Sequence, residues 1–199
     1  MSAEGVKKQM IEVKNITFFY GEKKVLNNFS IKISDGDRIC FSGPSGCGKT
    51  TLARLLTGLE RARSGSIRYL PPNQRFSIVF QEDRLIPGLT VLENVALSGD
   101  KEKARELLTA LGLKEQINKY PDELSGGMSR KVSIARALCY DGEVLILDEA
   151  FNGIDQEGRS QAAKVILQHF DKKTIIMISH INTDAQLLDA KTVELDECR

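Results

Sequence analysis

The sequence lacks long apolar runs and has almost no net charge, and each shortage excludes a class of protein. Its longest aliphatic runs, residues 144–147 and 175–178, are far shorter than the roughly 20 residues that a membrane-spanning helix needs. If the protein works at a membrane, other chains must therefore cross it. Lys and Arg total 28 and Asp and Glu total 27, a formal net charge of +1. That balance favours no broad basic surface, so we expect no nucleic-acid partner.

Cysteine and histidine are also sparse. The four cysteines, Cys40, Cys47, Cys139 and Cys198, form no C-x-x-C pair, and there are two histidines, so the spacing of a zinc site is absent. Scattered cysteines favour a reducing cytoplasm over a disulfide framework. Residues 1–10 contain no apolar stretch typical of a secretory signal. We therefore expect a cytoplasmic protein, and its 199 residues fit one domain.

Hydrophobic periodicity changes along the chain. Residues 11–18 and 29–33 alternate between apolar and polar, which predicts half-buried antiparallel strands. Residues 144–147 and 174–179 are almost continuously apolar and are separated by a predicted helix. Such runs are typical of parallel strands that are covered on both faces. We therefore expect an α/β fold with a parallel-sheet core, an antiparallel β flank and a helical insertion at about 84–140.

A glycine-rich segment predicts a phosphate site. Residues 43–50 read GPSGCGKT, the pattern G-x-x-x-x-G-K-[ST], between a predicted strand and a predicted helix over 49–59. Glycines allow backbone N–H groups to surround a polyphosphate, and the helix N-terminus favours its charge. Lys49 can reach the terminal phosphates, and the Thr50 hydroxyl can bind Mg²⁺. The loop alone fits kinases, GTPases and motor ATPases, although residues 118–121 lack the aspartate of the guanine-reading N-K-x-D pattern.

Two later segments add the groups that hydrolysis needs. The apolar run in 144–149 ends in Asp148, which can hold Mg²⁺, and Glu149, which can polarise an attacking water. Residues 124–128 read LSGGM before a predicted helix. Ser125 is either a plain helix cap or part of a second anion site formed by backbone N–H groups. Two phosphate-type sites in one chain suggest that two copies enclose the nucleotide between them.

In this order the motifs resemble the nucleotide-binding subunits of ABC transporters, from about residue 10 to about residue 196. The matching positions are Tyr20 for the base, 43–50 for Walker A, Gln81 for the Q-loop, 124–128 for the signature, 144–149 for Walker B, 152–155 for the D-loop and His180 for the switch histidine. A single match would be weak, but seven in order are very specific. The resemblance implies a P-loop NTPase with a RecA-like core and a helical subdomain, as a single domain over residues 1–199.

The resemblance also implies a role for each matched residue in an ATP site that contains Mg²⁺. Glu149 would orient or deprotonate the water, and His180 would steady the γ-phosphate. Residues 125–127 would act in the site of the opposite subunit. Mg²⁺ would be bound by Thr50, Gln81 and Asp148. ATP would be bound by Tyr20, Gly43, Pro44, Ser45, Gly46, Cys47, Gly48, Lys49, Thr50, Thr51, Gln81, Ser125, Gly126, Gly127 and Asp155.

Three segments, 80–95, 120–128 and 176–190, are similar to the ATP-binding subunits of nitrate-, sulfonate- and taurine-type bacterial importers. This similarity implies a location at the inner face of the cell membrane. It also implies three partners, namely transmembrane permease subunits, a second ATPase subunit and a substrate-binding protein. The segment 82–98 would contact the permease. Its apolar residues fit either that contact or an ordinary core: Leu85, Ile86, Leu89 and Val91.

Five positions depart from the family pattern, namely Met128, Ala150, Asn152, Gly153 and Ile181. They leave the ATPase chemistry intact, because Lys49, Asp148, Glu149 and His180 are present. Three alternatives remain to be weighed against a transporter subunit. The first is an ABC ATPase that does not serve transport. The second is a small-molecule kinase, which would not explain LSGGM, and the third is a nucleotide sensor, which an intact Glu149 opposes.

Overall fold

The computed structural model describes residues 9–195, apart from the side chains of Gln9 and Asn182, and this part of the chain forms two sheets flanked by helices. In chain order the elements are β1 (Gln9–Tyr20), β2 (Lys23–Ser34), β3 (Arg38–Ser42), α1 (Lys49–Leu56), β4 (Ser64–Tyr69), β5 (Phe76–Val79), α2 (Val91–Ala96), α3 (Lys101–Ala110), α4 (Gly126–Tyr140), β6 (Val144–Asp148), α5 (Gln156–His169), β7 (Thr174–Ile178), α6 (Asn182–Leu187) and β8 (Lys191–Glu194). Single 3₁₀ turns at Lys114–Gln116 and Pro121–Glu123 connect α3 to α4.

The larger sheet has the order β5-β6-β7-β3-β8, and all its neighbouring strands are parallel. The smaller sheet is antiparallel with the order β2-β1-β4. These two sheets confirm the predicted α/β class and the predicted antiparallel flank. The order of the larger sheet brings the ends of β6, β7 and β3 next to one another, which determines where the functional loops meet.

Continuous apolar strands arise because both faces of the parallel sheet are covered. In β6, Leu145 and Leu147 pack into a core with α2 to α5, whereas Val144 and Ile146 pack into a core with α1 and the antiparallel sheet. Successive side chains of a strand point to opposite faces, so each face receives every second residue. The described helices between β5 and β6, α2 to α4, all contribute to the first core.

Several sequence-based expectations need correction. The helix predicted over 49–59 ends at Leu56, and Gly58 follows with a φ of 73°, a left-handed conformation that ends helices. Strand β4 was not predicted, because its burial comes from pairing with β1, where Val13 lies opposite Ile67. The helix α6 and the strand β8 were also not predicted. Among the described cysteines, Cys40, Cys47 and Cys139 are buried and free, whereas Cys198 and residues 1–8 lie outside the described part.

Candidate functional site

Four predicted site elements follow neighbouring strands of the parallel sheet. Gln81 follows β5, Glu149 follows β6, His180 follows β7, and the loop 43–48 follows β3. Because parallel strands present their carboxyl ends at one edge of the sheet, these four segments converge there. The convergence explains how residues more than 130 positions apart in the sequence, such as 43 and 180, contribute to one site.

The backbone of the 43–48 loop requires its glycines. Gly43, Gly46 and Gly48 have φ values of 139°, 83° and 104°, which residues with a side chain rarely adopt. A Cβ atom on Gly48 would lie 3.0 Å from the carbonyl oxygen of Val25, and a Cβ atom on Gly43 would collide with the carbonyl oxygen of Leu195. The loop therefore passes between β2 and the end of β8 in a conformation that only glycine allows.

Lys49 begins α1 and lies inside the loop that precedes it. Its Nζ donates hydrogen bonds of 2.8 Å to the carbonyl oxygens of Gly43 and Pro44, and the residue is buried. Gly48, at the N-cap, offers no side-chain acceptor, and the first turn contains no acidic residue. The first N–H groups of α1 are therefore left without a side-chain partner beside a buried cation, and this arrangement favours an anion.

Two consecutive carboxylates at the end of β6 have different surroundings. Asp148 is buried and accepts a hydrogen bond of 3.2 Å from the Thr50 hydroxyl. Burial raises the pKa of Asp148, the bond from Thr50 lowers it, and the charge of Glu149 raises it further, with a net upward shift. The carboxylate oxygens of Glu149 both lie 3.0 Å from Nδ1 of His180. Glu149 itself has a φ of 51°, an unusual conformation for a residue other than glycine.

The oxygen atoms of this region fit Mg²⁺. Magnesium prefers oxygen ligands and is usually held by one or two carboxylates together with the substrate's phosphates. Thr50 and Asp148 place a hydroxyl and a carboxylate oxygen within 3.2 Å of each other, and Gln81 lines a small pocket together with both. In the described part of the chain, no group of three or more His, Cys, Asp or Glu side chains could hold a metal by itself. Mg²⁺ is usually six-coordinate, so water or phosphate oxygens would have to supply the ligands that the side chains of Thr50, Asp148 and Gln81 do not.

A cavity of about 360 Å³ lies over the loop and the start of α1. The predicted residues that line it are Tyr20, Ser45, Gly46, Gly48, Lys49, Thr50, Thr51, Gln81 and Glu149. Tyr20 is 44% exposed, and its ring packs edge-on against Phe18. Lys23, Val25 and Ile178 line the cavity as well and were not predicted. The position of Lys23 directly after the turn that follows Tyr20 is the signal that could have identified it.

Some predicted residues, including Asp148 and His180, do not line this cavity. Gly43 and Pro44 hold Lys49 through their carbonyl groups, and Cys47 is buried with its Sγ 3.7 Å from Nζ of Lys49. Asp155 caps α5 by accepting a hydrogen bond of 3.0 Å from the backbone N–H of Gly158. Within one chain, the visible role of Asp155 is therefore structural.

The residues 125–127 also lie away from the cavity of their own chain. Ser125 is exposed and caps α4, because its Oγ accepts a hydrogen bond of 3.3 Å from the N–H of Met128. A Cβ atom on Gly127 would lie 2.7 Å from the carbonyl oxygen of Gly153, so the start of α4 packs directly against the 152–155 loop. The expected role of 125–127 in a second subunit's site stays a prediction.

Arg130, in α4, was missed by the sequence analysis. Its guanidinium donates to the carbonyl oxygens of Phe80 at 2.7 Å and Gln81 at 2.5 Å and lies 3.2 Å from a carboxylate oxygen of Asp83. The predicted helix over 129–139 included this residue, but nothing in the sequence distinguished it from Lys131, the cation that follows. The structure thus shows a direct link from α4 to the segment that carries Gln81.

The segment 82–98 divides between core and surface. Val91 is fully buried, so the core interpretation is correct for it, and Leu85 and Leu89 are half-buried. Ile86 is 44% exposed and fits a contact with another protein. Among the described helices, none combines the length and the apolar character that a membrane crossing needs.

Comparison with known proteins identifies the family of the chain. A family model described as "ABC transporter" matches residues 26–152. The aliphatic sulfonates import ATP-binding protein SsuB of Bacillus cereus is 38% identical over 186 residues, which cover 87% of this chain and 74% of that protein. SsuB of Zymomonas mobilis is 35% identical, with 96% and 84% covered. The spermidine/putrescine import ATP-binding protein PotA of Thermotoga maritima is 35% identical, and the match covers 94% of this chain but 56% of that protein.

Solved structures agree with this assignment. The dimeric structure of a bacterial ABC transporter cassette has a TM-score of 0.84 and 27% identity, with 94% of both chains covered. A dimeric post-hydrolysis state of the same cassette, bound to ADP and Pi, has a TM-score of 0.84 and 26% identity, with 96% and 97% covered. The chain spans about half of the length of its PotA relative and about three quarters or more of its SsuB relatives. The chain belongs to the ABC transporter family.

Proposed function

We propose that this chain is the ATP-binding and ATP-hydrolysing subunit of an importer, and that it drives transport through separate membrane subunits. One observation carries the proposal. A cavity suited to a polyphosphate is lined by Lys49 and Glu149, and the carboxylate of Glu149 contacts the imidazole of His180. A phosphate-binding loop alone would serve many nucleotide-binding proteins, but a carboxylate in contact with an imidazole beside it provides a base for hydrolysis.

The chain's own residues have separate tasks in the proposed reaction. Tyr20 stacks on the base at the open rim of the cavity, and the N–H groups of 43–50 surround the phosphates. Lys49 exchanges its carbonyl partners for phosphate oxygens, which are stronger acceptors because they are charged. Glu149 orients or deprotonates the attacking water, and His180 holds the γ-phosphate. The 3.0 Å contact keeps the imidazole of His180 beside the carboxylate of Glu149, which lines the cavity.

Magnesium completes the proposed site. Thr50, Gln81 and Asp148 would hold the ion, which neutralises the charge that develops on the β- and γ-phosphates. Burial raises the pKa of Asp148, because it disfavours the charged form of the carboxylate. A cation beside Asp148 would compensate for that burial. The buried position of this carboxylate therefore supports a role in metal binding.

Two copies of the chain enclose two ATP molecules in the proposed active form. Each contributes its 43–50 loop to one site and its residues 125–127 to the other. The start of α4 is exposed and lies away from the cavity of its own chain, which supports a role toward a partner. Because closure of the dimer is favoured only when ATP is bound, the energy of nucleotide binding can drive movement of the attached subunits. Residues 84–140 form the helical subdomain of this unit.

The proposed partners are transmembrane permease subunits and a substrate-binding protein, and the proposed location is the inner face of the cell membrane. The importer names of the relatives support this view over an ABC ATPase without a transport role. Ile86, exposed in the segment 82–98, is proposed to contact the permease. Relatives named for sulfonates and for polyamines match with similar identity, so the proposal specifies import and leaves the cargo open.

Phosphate release from ATP by the purified chain tests the proposed activity. Glu149→Gln keeps the shape of the side chain and removes the base, so we expect turnover to fall by about 10²- to 10⁴-fold. Binding of a fluorescent ATP analogue should persist, because the loop 43–50 is unchanged. Hydrolysis at the parental rate in this variant would exclude Glu149 as the base, and a parent chain that binds ATP without releasing phosphate would support a nucleotide sensor.

A further inference from the structure

A buried carboxylate lies outside the ATP cavity and has no role in the chemistry proposed above. Asp184, in α6, is 2% exposed. Its Oδ2 accepts a hydrogen bond of 2.8 Å from the hydroxyl of Ser179, and its Oδ1 lies 3.3 Å from Nη1 of Arg159. A buried carboxylate is costly unless it is paired, so both of its oxygen atoms are engaged for a physical reason. The partners of Asp184 indicate what the pairing achieves.

Ser179 connects this carboxylate to the loop that carries His180. Its hydroxyl donates to Asp184 and accepts a hydrogen bond of 3.0 Å from the N–H of Ile181. One hydroxyl therefore holds the residues immediately before and after His180. The side chain of His180 is 60% exposed and has little packing around it. The orientation of the His180 side chain toward Glu149 consequently depends on the backbone around it, which the hydrogen bond between Ser179 and Ile181 holds in place.

Arg159 extends the same network to the other side of the site. Its Nε donates a hydrogen bond of 2.8 Å to the carbonyl oxygen of Ile154, in the 152–155 loop. That loop follows Glu149, whose carbonyl oxygen accepts a hydrogen bond of 3.1 Å from the N–H of Asn152. The guanidinium thus contacts both the loop after Glu149 and the carboxylate that holds the loop of His180. A planar guanidinium suits this task, because it presents several donors in fixed directions.

We propose that Ser179, Asp184 and Arg159 form a positioning network that aims His180 at the γ-phosphate and keeps it in register with Glu149. This inference rests on the proposed ATPase function, because it assigns His180 a task in that reaction. None of the three residues lines the ATP cavity. Loss of the network should therefore lower kcat and leave the KM for ATP almost unchanged.

The substitution Ser179→Ala tests the network with little risk to folding, because it removes one oxygen atom. We expect kcat to fall by roughly tenfold to a hundredfold, the loss found when the hydrogen-bond partner of a metal-binding histidine is removed, with a KM for ATP within about twofold of the parent value. Ser179→Thr retains the hydroxyl and is the matched control, so it should keep most of the parental kcat. In a His180→Ala background, Ser179→Ala should add no further loss, because its effect passes through His180.

The imidazole resonances of His180 give a readout that does not depend on turnover. The chain has two histidines, so His169, whose Nδ1 lies 2.9 Å from the carbonyl oxygen of Val165 in α5, serves as an internal reference. Ser179→Ala should shift the signals of His180 and leave those of His169 unchanged, whereas Ser179→Thr should shift neither.

Unshifted His180 resonances in Ser179→Ala would overturn the inference. An unchanged kcat in Ser179→Ala, or an additional loss in the His180→Ala background, would also overturn it while leaving the ATPase function intact. A parent chain that hydrolyses no ATP would instead refute the proposed function, and the resonances would still report whether Ser179 positions His180.

Discussion

The N-termini of α1 and α4 are both candidate anion sites, but they are built differently. Helix α1 begins after Gly48 without a side-chain cap and opens into a cavity that contains the buried Lys49. Helix α4 begins with the exposed Ser125 as its cap and lies outside that cavity. The first site is therefore assembled within one chain, whereas the second presents its N–H groups outward.

Among the described helices of eight or more residues, the other two, α3 and α5, show what the two sites have in common. In the first turn, α3 carries Glu102 and α5 carries Glu157, and each is capped by an aspartate that precedes it. These carboxylates compensate the partial positive charge of the helix N-terminus within the chain. Neither α1 nor α4 has an acidic residue in its first turn. The two helix N-termini without an acidic residue in the first turn, those of α1 and α4, are the ones proposed to receive phosphate.

The largest expected effect comes from Ser125→Arg, which alters the outward site alone. A bulky cation replaces a small hydroxyl where a phosphate of the opposite subunit has to fit. Turnover should fall by roughly 10²-fold or more, because the second half of the site no longer closes on the nucleotide. ATP binding to the monomer should remain at the parental level, because the 43–50 loop is unchanged. Phosphate release should therefore show reduced turnover, while equilibrium titration shows an unchanged affinity for ATP. Loss of both turnover and affinity would contradict the separation of the two sites.

Lys49→Ala should have a smaller effect, and it should lower the affinity for ATP, which Ser125→Arg is expected to leave unchanged. It removes a charged donor that now bonds to Gly43 and Pro44 and is proposed to bond to phosphate. Such a charged hydrogen bond contributes about 1.5–3 kcal/mol, so the affinity for a fluorescent ATP analogue should fall about tenfold to a hundredfold. Equilibrium titration measures this directly, with Lys131→Ala on α4 as the matched control. Equal affinities for parent and Lys49→Ala would exclude the 43–50 loop as the phosphate site.

The smallest effect concerns the stability of the free chain. Because the pKa of Asp148 is raised, the folded state binds its proton more tightly than the unfolded state does, so the ionised form destabilises the fold at neutral pH. Asp148→Asn keeps the acceptor for Thr50 and removes the charge. We expect Asp148→Asn to have a higher Tm than the parent at pH 7, together with loss of Mg²⁺-dependent turnover.

The pH dependence of the difference in stability between Asp148→Asn and the parent tests this prediction. The penalty in the parent decreases as pH falls through the raised pKa of Asp148 and is absent below the usual value of 3.8. Thermal denaturation of parent and Asp148→Asn at matched pH values should therefore give curves that converge toward acid. A gap that stays constant, or that widens as pH falls, would contradict a buried ionised carboxylate at this position.

Sequence patterns predicted the elements that are locally encoded and missed those that depend on partners. An uninterrupted apolar run predicts the strand β6, which ends in Asp148. The glycines of the loop predict the site at α1, and Gly48, with a φ of 104°, is one that the backbone requires. The strand β4 was missed because it is stabilised by pairing with β1.

Two of the missed residues, Arg130 and Arg159, share one physical property. Each donates to the carbonyl oxygen of a loop residue, namely Phe80 and Ile154. A guanidinium that bonds to a backbone leaves no pattern in the sequence, because any residue type supplies a carbonyl. Tertiary structure is therefore needed to find the groups that position the site, whereas the groups proposed to bind phosphate are evident from the motifs.

The most direct test of the two-site account mixes two inactive variants. On a Glu149→Gln background, a chain with Ser125→Arg keeps its loop site, and a chain with Lys49→Ala keeps its α4 site. A heterodimer of the two has one intact composite site and one with both lesions, whereas each homodimer has none intact. Size-exclusion chromatography with ATP should therefore show more dimer in the mixture than in either variant alone. Dimerisation of the Ser125→Arg chain alone to the level of the Glu149→Gln parent would contradict the account.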